Sequence, residues 1–278
     1  MLRPGTDAGR EGLRALRAAP GRAVVALDYD GTLAPVVARP QDAVPAPGAL
    51  EALTRLAGRV GTLALVTGRP AEAVVALAGL AEVPGLVVLG QYGAQRWDGA
   101  LHSAAPAPGL REVRRALPAL LGDARLEDKG LSLVVHVRGL PDPLAELERL
   151  GPPVRRLAAE HGLQVHPGRG VLEVRPPGHD KRAALLSLCA HHPSAVLFAG
   201  DDVGDLPAFD AVDELRAQGV PGLLVCSASE EGPAALRSRA YVVADGPAGV
   251  VALLEELLQQ LVRTDAPAGV VARLEEPP

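Results

Sequence analysis

Short apolar runs alternate with stretches of helical periodicity in the first third of the chain. Each apolar run carries few polar side chains, which is typical of strands buried on both faces. Leucine recurs at every third position between two of these runs, at Leu50, Leu53 and Leu56, and this spacing indicates a helix. The predicted strands are 22–27, 60–66 and 85–89, and the predicted helices are 47–57 and 71–80. The alternation favours an α/β fold with a doubly wound parallel sheet, which binds ligands at the carboxyl ends of its strands.

The pattern changes between residues 110 and 176, where a helix and two strands are followed by a second helix and two further strands. The predicted strands there are 125–127, 131–138, 163–166 and 171–175, and the second helix is 143–161. Glycine-containing turns between paired strands favour antiparallel hairpins. The segment is therefore predicted to be a small α+β unit of its own.

Proline-rich stretches at 104–109 and 176–178 border this segment and are typical of stiff linkers. We predict an inserted cap domain, or lid, over 109–176, within a catalytic core formed by 1–108 and 177–278. Residues 1–18 and 264–278 are expected to be loose termini. The alternating pattern resumes after the second linker, with helices predicted at 181–189, 207–218 and 248–262 and strands at 195–199 and 222–226.

Composition excludes several classes of protein. A net charge of -5 and an aromatic content of 2% leave little to bind nucleic acid. The chain has no apolar run long enough for a membrane span, and its first residues are polar. We therefore expect a cytoplasmic protein without a membrane partner. Cys189 and Cys226 lack Cys-x-x-Cys spacing, which disfavours a disulfide or thiolate metal site. Only Lys129 and Lys181 are lysine among 28 Lys and Arg residues, and a compact ammonium suits a site beside a phosphate.

The sequence Asp28-Tyr-Asp-Gly-Thr-Leu33 follows the first predicted strand. Two carboxylates separated by one residue can place one as a nucleophile and the other near a leaving group, and the glycine permits a sharp turn. Taken alone, these residues are also typical of a polar turn after a strand. The choice between the two depends on the rest of the chain.

Four polar groups follow predicted strands or begin a predicted helix. They are Asp28 with Asp30, Thr67 with Gly68 and Arg69, Lys181, and Asp201 with Asp202 and Asp205. Carboxylates that converge from two strands would make the all-oxygen site that Mg²⁺ prefers. A threonine hydroxyl and backbone N–H groups can bind phosphate oxygens, and a lysine can neutralise phosphoryl charge. Together the groups indicate phosphoryl transfer.

In order along the chain, these groups resemble the four signature motifs of the haloacid dehalogenase (HAD) superfamily of phosphatases. The lid lies between the second and third motifs, as does the type-2 cap of that superfamily. Over roughly residues 20–260 the chain also resembles the trehalose-6-phosphate phosphatases. This closer resemblance rests on 90–94, 126–130, 135–138, 170–176 and 178–181. It implies a HAD-like Rossmannoid core and Mg²⁺-dependent hydrolysis of trehalose 6-phosphate to trehalose and phosphate, the last step of trehalose biosynthesis.

The resemblance also implies roles for the core residues. Asp28 would attack phosphorus to form an aspartyl-phosphate, and Asp30 would protonate the departing sugar oxygen and then deprotonate the attacking water. Mg²⁺ would be held by Asp28, the Asp30 carbonyl and Asp201, with Asp205 and Asp202 as outer or water-mediated ligands. The residues expected to bind the phosphoryl end of the substrate are Thr67, Gly68, Arg69 and Lys181.

On the lid, Lys129, His136, Arg138 and Glu173 would bind the sugar hydroxyls. His136 and Glu173 lie on predicted strands, where polar residues often face solvent, so an ordinary surface role stays open for both. The chain departs from the pattern of the trehalose phosphatases at Tyr92, Gln95, Gly204 and Leu206, where we expect His, Glu, Thr and Glu. These departures leave the proposed nucleophile, acid and metal ligands intact but bear on the sugar contacts.

Two other functions stay open at this point. One is a related HAD-type phosphatase that acts on sucrose, glucosylglycerol or mannosylglycerate phosphate. The other is a catalytically silent domain that binds a sugar phosphate and regulates a synthase, although the intact Asp28, Asp30 and Lys181 argue against it. The expected partners are a small sugar phosphate and a trehalose-6-phosphate synthase acting beside the protein, which is expected to be a monomer.

Overall fold

The computed structural model describes residues 2–37, 39–77, 79–168, 170–230 and 232–265. The strands described are β1 (Val24–Leu27), β2 (Thr62–Val66), β3 (Val87–Gly90), β4 (Gln95–Trp97), β5 (Leu101–Ser103), β6 (Arg125–Asp128), β7 (Leu133–His136), β8 (Gln164–Gly168), β9 (Val171–Arg175), β10 (Val196–Gly200), β11 (Gly222–Ala228) and β12 (Val242–Asp245). The α-helices described are α1 (Asp7–Ala18), α2 (Ala49–Ala57), α3 (Ala71–Val75), α4 (Leu110–Ala116), α5 (Pro118–Leu121), α6 (Pro143–Glu160), α7 (Lys181–Leu188), α8 (Leu206–Ala217), α9 (Ala234–Arg239) and α10 (Gly246–Asp265). None of the described helices has the length and apolar character needed to cross a membrane.

The larger sheet has the strand order β12-β11-β10-β1-β2-β3-β4-β5. All strands from β12 to β3 run parallel, whereas β4 and β5 form an antiparallel hairpin at one edge. Helices cover both faces of the sheet. Alternate residues of each strand point to opposite faces, so each strand contributes side chains to two cores. Val25 and Leu27 pack in the core that contains α1, α2 and α10, while Val24 and Ala26 pack in the core with α7 and α8. The predicted doubly wound sheet is confirmed.

The smaller sheet has the order β6-β7-β9-β8 and is antiparallel throughout. One face carries Leu133, Val135, Leu172 and Val174, which form a separate apolar core with α4, α5 and α6. The other face carries polar side chains, including Glu127 and Glu173. The helix and strand order predicted for residues 110–176 is observed, so the smaller sheet is a unit with its own core and one polar face.

The expectation of a loose segment over 1–18 is wrong for residues 7–18, which form α1. Thr6 caps this helix by accepting a hydrogen bond from the Gly9 N–H, and Leu13 and Leu16 are buried. A Cβ at Gly12 would lie 2.1 Å from the carbonyl oxygen of Gly222, so the glycine lets α1 approach β11 closely. Glycines that weaken helix propensity thus serve packing here. At the other end α10 continues to Asp265, and residues 266–278 lie outside the described part of the chain.

Several short elements differ from those predicted. The hairpin β4–β5, the short helices α5 and α9, and the edge strand β12 were not predicted, and α3 ends at Val75 rather than near residue 80. Each of these elements is three to six residues long, too short to show a clear hydrophobic period. The edge strands also have exposed positions, unlike the fully buried β1 and β3. Tertiary pairing rather than local sequence defines them.

Leu16→Ala tests whether α1 belongs to the folded core. Leu16 is fully buried, so we expect the free energy of unfolding to fall by about 2–5 kcal/mol, as for other buried Leu to Ala changes. Urea denaturation would measure the change, with Arg14→Ala on the exposed side of the same helix as the matched control. Equal stability of the two variants would contradict the packing of α1.

Candidate active site

Three strands of the larger sheet end beside one another at a cluster of polar residues. Leu27 at the end of β1 is in register with Leu65 of β2 and Ala199 of β10. The next residues along these strands include Asp28, Thr67 and Asp201, all of which are buried. Parallel register therefore brings three of the four predicted motifs to one edge of the sheet.

Lys181 lies at the centre of this cluster. It is the first residue of α7, whose N-cap is Asp180, and its side chain is buried. The Lys181 Nζ lies 2.6 Å from Asp28 Oδ1 and 2.6 Å from Asp205 Oδ1. One ammonium therefore bridges carboxylates that follow two different strands.

These charges alter one another's protonation. Burial raises the pKa of the Asp28 carboxyl well above its ordinary value, although the charge of Lys181 opposes that change. Burial alone would lower the pKa of Lys181, but the charges of Asp205 and Asp28 raise it well above its ordinary value. Lys181 therefore keeps its proton and holds both carboxylates in place.

Asp205 is fixed by the backbone as well as by Lys181. Its Oδ2 accepts hydrogen bonds from the N–H groups of Asp201 and Asp202, at 2.9 and 3.1 Å. Carboxylate oxygens of Asp28, Asp201 and Asp205 all lie within 4.8 Å of one another. Protein donors thus bind both oxygens of Asp205, which fixes Asp205 relative to Lys181 and to the backbone at Asp201. Asp202 caps the turn at Val203–Asp205.

Gly31 explains the glycine in the first motif. Its φ is +81°, and a Cβ at this position would lie 2.1 Å from Asp201 Oδ2. The Gly31 carbonyl also accepts a hydrogen bond from the Ser227 hydroxyl at 2.7 Å. Glycine at this position therefore satisfies the backbone conformation and leaves room for a carboxylate of the second acidic motif.

Asp30 and Arg69 form a second pair beside the acidic cluster. The Arg69 guanidinium donates to both Asp30 oxygens, with Nε–Oδ2 at 2.6 Å and Nη2–Oδ1 at 2.5 Å, and to the Pro40 carbonyl at 2.7 Å. Burial opposes its charge, but the bonds to Asp30 dominate and raise the pKa of Arg69. The residue predicted to bind substrate thus holds the predicted acid in this structure.

The Thr67–Arg69 loop lies between the two sheets. The Thr67 hydroxyl accepts a hydrogen bond from the Arg69 N–H at 3.1 Å, and the Gly68 carbonyl accepts one from Lys129 Nζ at 3.2 Å. Lys129 follows β6 of the smaller sheet. The predicted lid lysine therefore contacts the predicted phosphate loop directly.

Glu173 is the centre of a polar cluster on the smaller sheet. Its Oε1 accepts from the Ser132 hydroxyl at 2.8 Å and lies 3.4 Å from Lys129 Nζ, and its Oε2 accepts from the Tyr92 hydroxyl at 2.8 Å. Burial would raise the pKa of Glu173, but the charges of Lys129 and Arg175 lead a net lowering. Glu173 is therefore a buried, ionised carboxylate, and the solvent-facing alternative is wrong for it.

Two of the predicted lid residues lie apart from this cluster. His136 Nε2 lies 2.6 Å from Glu127 Oε2, on the same face of the sheet as Glu173. Arg138 is exposed in the turn after β7. Of the four predicted sugar contacts, the structure brings together Lys129 and Glu173, and it pairs His136 with a carboxylate that was not predicted.

Residues outside the predicted set complete the site. Gln91 donates its side-chain amide to the Lys129 carbonyl at 2.8 Å, and Gln95 accepts a hydrogen bond from the Ala71 N–H at 2.9 Å at the start of α3. Glu127, Ser132 and Gln91 were missed, whereas Tyr92 and Gln95 were noted only as departures from the pattern of the trehalose phosphatases. Strand register would have placed Glu127 on the face of Glu173, but register depends on a pairing that spacing alone does not give.

The fold is similar to that of a haloacid dehalogenase-like hydrolase from Bacteroides thetaiotaomicron. That structure is 19% identical, has a TM-score of 0.58 and aligns over 84% of this chain and 99% of its own. The C-terminal domain of a trehalose-6-phosphate phosphatase from C. albicans is 20% identical, with a TM-score of 0.75 over 93% of this chain and 99% of that domain. The chain therefore shares its fold with both structures, one of which is a haloacid dehalogenase-like hydrolase.

Sequence similarity is more specific than the fold. The model of the Trehalose-phosphatase family matches residues 26–242, so the chain belongs to that family. The trehalose-phosphate phosphatase of Mycobacterium tuberculosis strain H37Rv is 34% identical over 264 residues, which cover 85% of this chain. The match spans only 61% of the length of that relative.

Lys181→Met tests the central ion bridge. It leaves Asp28 and Asp205 buried without their shared cation, so we expect the free energy of unfolding at pH 7 to fall by about 3–5 kcal/mol. Burial already raises the pKa of Asp28, and loss of the Lys181 charge should raise it further, so the stability difference between the variant and wild type should narrow as the pH falls. Denaturation at several pH values, in the presence of a chelator, would measure it.

Arg10→Met is the matched control, because Arg10 forms an exposed pair with Asp7 on the surface of α1. Such a pair contributes little to stability, and no measurable change is expected. Similar small effects of both substitutions would show that the Lys181 bridge is not structural.

Proposed function

We propose that this chain hydrolyses trehalose 6-phosphate to trehalose and phosphate. The observation that carries the proposal is the position of Asp28. It is buried directly after β1, bonded to Lys181 and beside Asp201, and Lys129 of the smaller sheet contacts the neighbouring Thr67–Arg69 loop. Membership of the trehalose-phosphatase family and the matching relatives support the choice of sugar.

The residues present fit a divalent cation. Three buried carboxylates meet one buried ammonium, and the excess negative charge would be balanced by Mg²⁺, which prefers oxygen ligands. In this proposal Asp28, the Asp30 carbonyl and Asp201 hold the ion, and Asp205 orients them through Lys181 and the backbone. When bound, the ion would supply positive charge beside the phosphoryl oxygens.

The first chemical step belongs to Asp28 and Asp30. An Asp28 carboxylate oxygen attacks phosphorus while the bond from phosphorus to the sugar oxygen breaks, and Asp30 gives that oxygen its proton. The products of this step are trehalose and an aspartyl-phosphate on Asp28. Lys181 and the Thr67 hydroxyl would bind the phosphoryl oxygens as charge develops there.

The second step regenerates the enzyme. Asp30, now a carboxylate, takes a proton from water as the water oxygen attacks phosphorus, and the bond to the Asp28 oxygen breaks to release phosphate. Arg69 donates hydrogen bonds to both carboxylate oxygens of Asp30 in the described arrangement, so neither oxygen is free to face a sugar oxygen. Asp30 must be protonated for the first step, so we propose that Arg69 turns towards the substrate phosphate on binding.

The polar face of the smaller sheet would bind the sugar. Lys129 donates to the Gly68 carbonyl of the phosphate loop, and Glu173 lies 3.4 Å from the same ammonium, so the pair offers a donor and an acceptor near that loop. The pair Glu127 and His136 lies on the same face. Lys129 contacts Gly68, and Tyr92 contacts Glu173, so these contacts must part for a disaccharide to enter. We therefore propose that residues 109–176 act as a lid that opens about 104–109 and 176–178.

A phosphate-release assay tests the proposal. Purified protein with Mg²⁺ should hydrolyse trehalose 6-phosphate in preference to sucrose, glucosylglycerol and mannosylglycerate phosphates. Asp28→Asn should abolish turnover but keep substrate binding, measured by calorimetry, because only the nucleophile is lost. Asp98→Asn, in an exposed pair with Arg96, should behave as wild type.

Each other outcome points elsewhere. Hydrolysis of another sugar phosphate alone would assign a sister specificity. Binding without hydrolysis in the wild type would favour a silent regulatory domain. Full activity of Asp28→Asn would overturn the mechanism.

Limited proteolysis tests the lid. Magnesium with a phosphate mimic such as vanadate should favour the closed form and slow cleavage near 104–109 and 176–178. The rate at the exposed turn around Gly99 serves as the internal control. Equal rates at the two linkers with and without the mimic would contradict closure.

A further inference from the structure

We propose that Tyr92 is a positioning residue that sets the distance between the phosphate site and the sugar site, and so determines selectivity for the sugar. It belongs to the larger sheet's side of the site, yet its hydroxyl bonds to Glu173 of the smaller sheet. This inference rests on the proposed function, because it assumes that Glu173 binds a sugar hydroxyl.

The backbone at Tyr92 is held in an uncommon conformation. Gln91 and Tyr92 have φ of 45° and 58°, in the left-handed region that non-glycine residues seldom adopt. The Gln91 N–H donates to the Arg69 carbonyl at 2.8 Å, and the Tyr92 N–H donates to the Thr67 carbonyl at 2.9 Å. Strain of this kind persists only where the surroundings impose it, and here the phosphate loop does so.

The Tyr92 ring is packed on both sides. A Cβ at Gly68 would lie 2.6 Å from the Tyr92 hydroxyl oxygen, so the ring passes directly over the phosphate loop. The Arg175 guanidinium lies 3.6 Å from the ring centroid, which is a cation–π contact. Burial, followed by the charge of Glu173, raises the pKa of Tyr92. The hydroxyl therefore keeps its proton and donates a hydrogen bond to Glu173.

The two oxygens of Glu173 have different partners. Ser132 and Lys129, which lie on the smaller sheet's unit, donate to Oε1. Tyr92, which follows β3 of the larger sheet, donates to Oε2. Without the Tyr92 hydroxyl, the described partner of Oε2 is the Arg175 Nη1 at 3.7 Å, beyond hydrogen-bonding distance. The carboxylate would then lose its fixed position relative to the phosphate loop, and the sugar would lose a preorganised acceptor.

Tyr92→Phe tests this role because it removes only the hydroxyl and keeps the ring. The KM for trehalose 6-phosphate should rise about tenfold, the effect of one hydrogen bond to a charged group, while kcat changes less. Turnover of p-nitrophenyl phosphate, which has no sugar, should stay as in wild type. Because Ser132 and Lys129 still bind Glu173, the midpoint of thermal unfolding should fall only modestly, and the variant should stay folded at the assay temperature.

Tyr241→Phe is the matched control. Tyr241 is one of the three tyrosines of the chain, and its hydroxyl and ring also meet an arginine, Arg216, but it lies before β12, at the amino end of the sheet. This substitution should leave the kinetics of both substrates unchanged.

The outcomes separate this inference from the proposed function. An unchanged KM in Tyr92→Phe, or equal losses on both substrates, would overturn the role of Tyr92 while phosphatase activity stands. If wild type prefers another sugar phosphate, the KM values of wild type and Tyr92→Phe are compared for that sugar phosphate, and an unchanged KM again overturns the role of Tyr92. Hydrolysis of p-nitrophenyl phosphate without hydrolysis of any sugar phosphate would overturn the sugar site and this inference together.

Discussion

The buried ammonium of Lys181 holds the candidate site together. Asp28, Asp201 and Asp205 lie close enough to repel one another strongly in a buried setting, and burial already raises the pKa of Asp28. Lys181 offsets part of that repulsion with contacts of 2.6 Å to two of the three. One ammonium does not balance three carboxylates, and the remaining negative charge is the reason why we propose a cation at this site.

Geometry of the parallel sheet makes this bridge possible. Asp28 and Asp201 are far apart in sequence, but β1 and β10 are neighbours in register, so their carboxyl ends coincide. The structure leaves no room for a side chain at Gly31, because its Cβ would occupy the place of the Asp201 carboxylate. The position of the Asp201 carboxylate therefore requires glycine at residue 31.

Sequence alone predicted the parts of this protein with strong period or fixed chemistry. Buried strands such as β1 and β10 have unbroken apolar runs, the motif residues Asp28, Thr67 and Asp201 lie just after strand ends, and Lys181 begins a helix. The α1 helix was missed because Gly9 and Gly12 weaken its helical signal, although they are what let it pack against Tyr241 and β11. Local propensity and tertiary packing disagree there, and packing decides.

Side-chain pairing explains the other misses. That Arg69 grips Asp30, or that Glu127 pairs with His136, depends on distances across chain segments that spacing does not encode. Tyr92 is the sharpest case. As a departure from the expected histidine it carried no positive information, and only its hydroxyl contact with Glu173 and the uncommon backbone beneath it suggest a role.

The polar cluster between the two sheets also bears on the lid motion that we propose. Glu173 is 5% exposed, and a buried carboxylate without partners would strongly destabilise the closed form. Lys129, Ser132 and Tyr92 supply those partners in the described arrangement, water would supply them in an open one, and sugar hydroxyls could supply them with substrate bound. Because the carboxylate is satisfied in all three states, its burial does not favour any of them strongly. In the proposed mechanism, the phosphate end, where charge is not balanced in the same way, would then be the part of the substrate that decides when the lid closes.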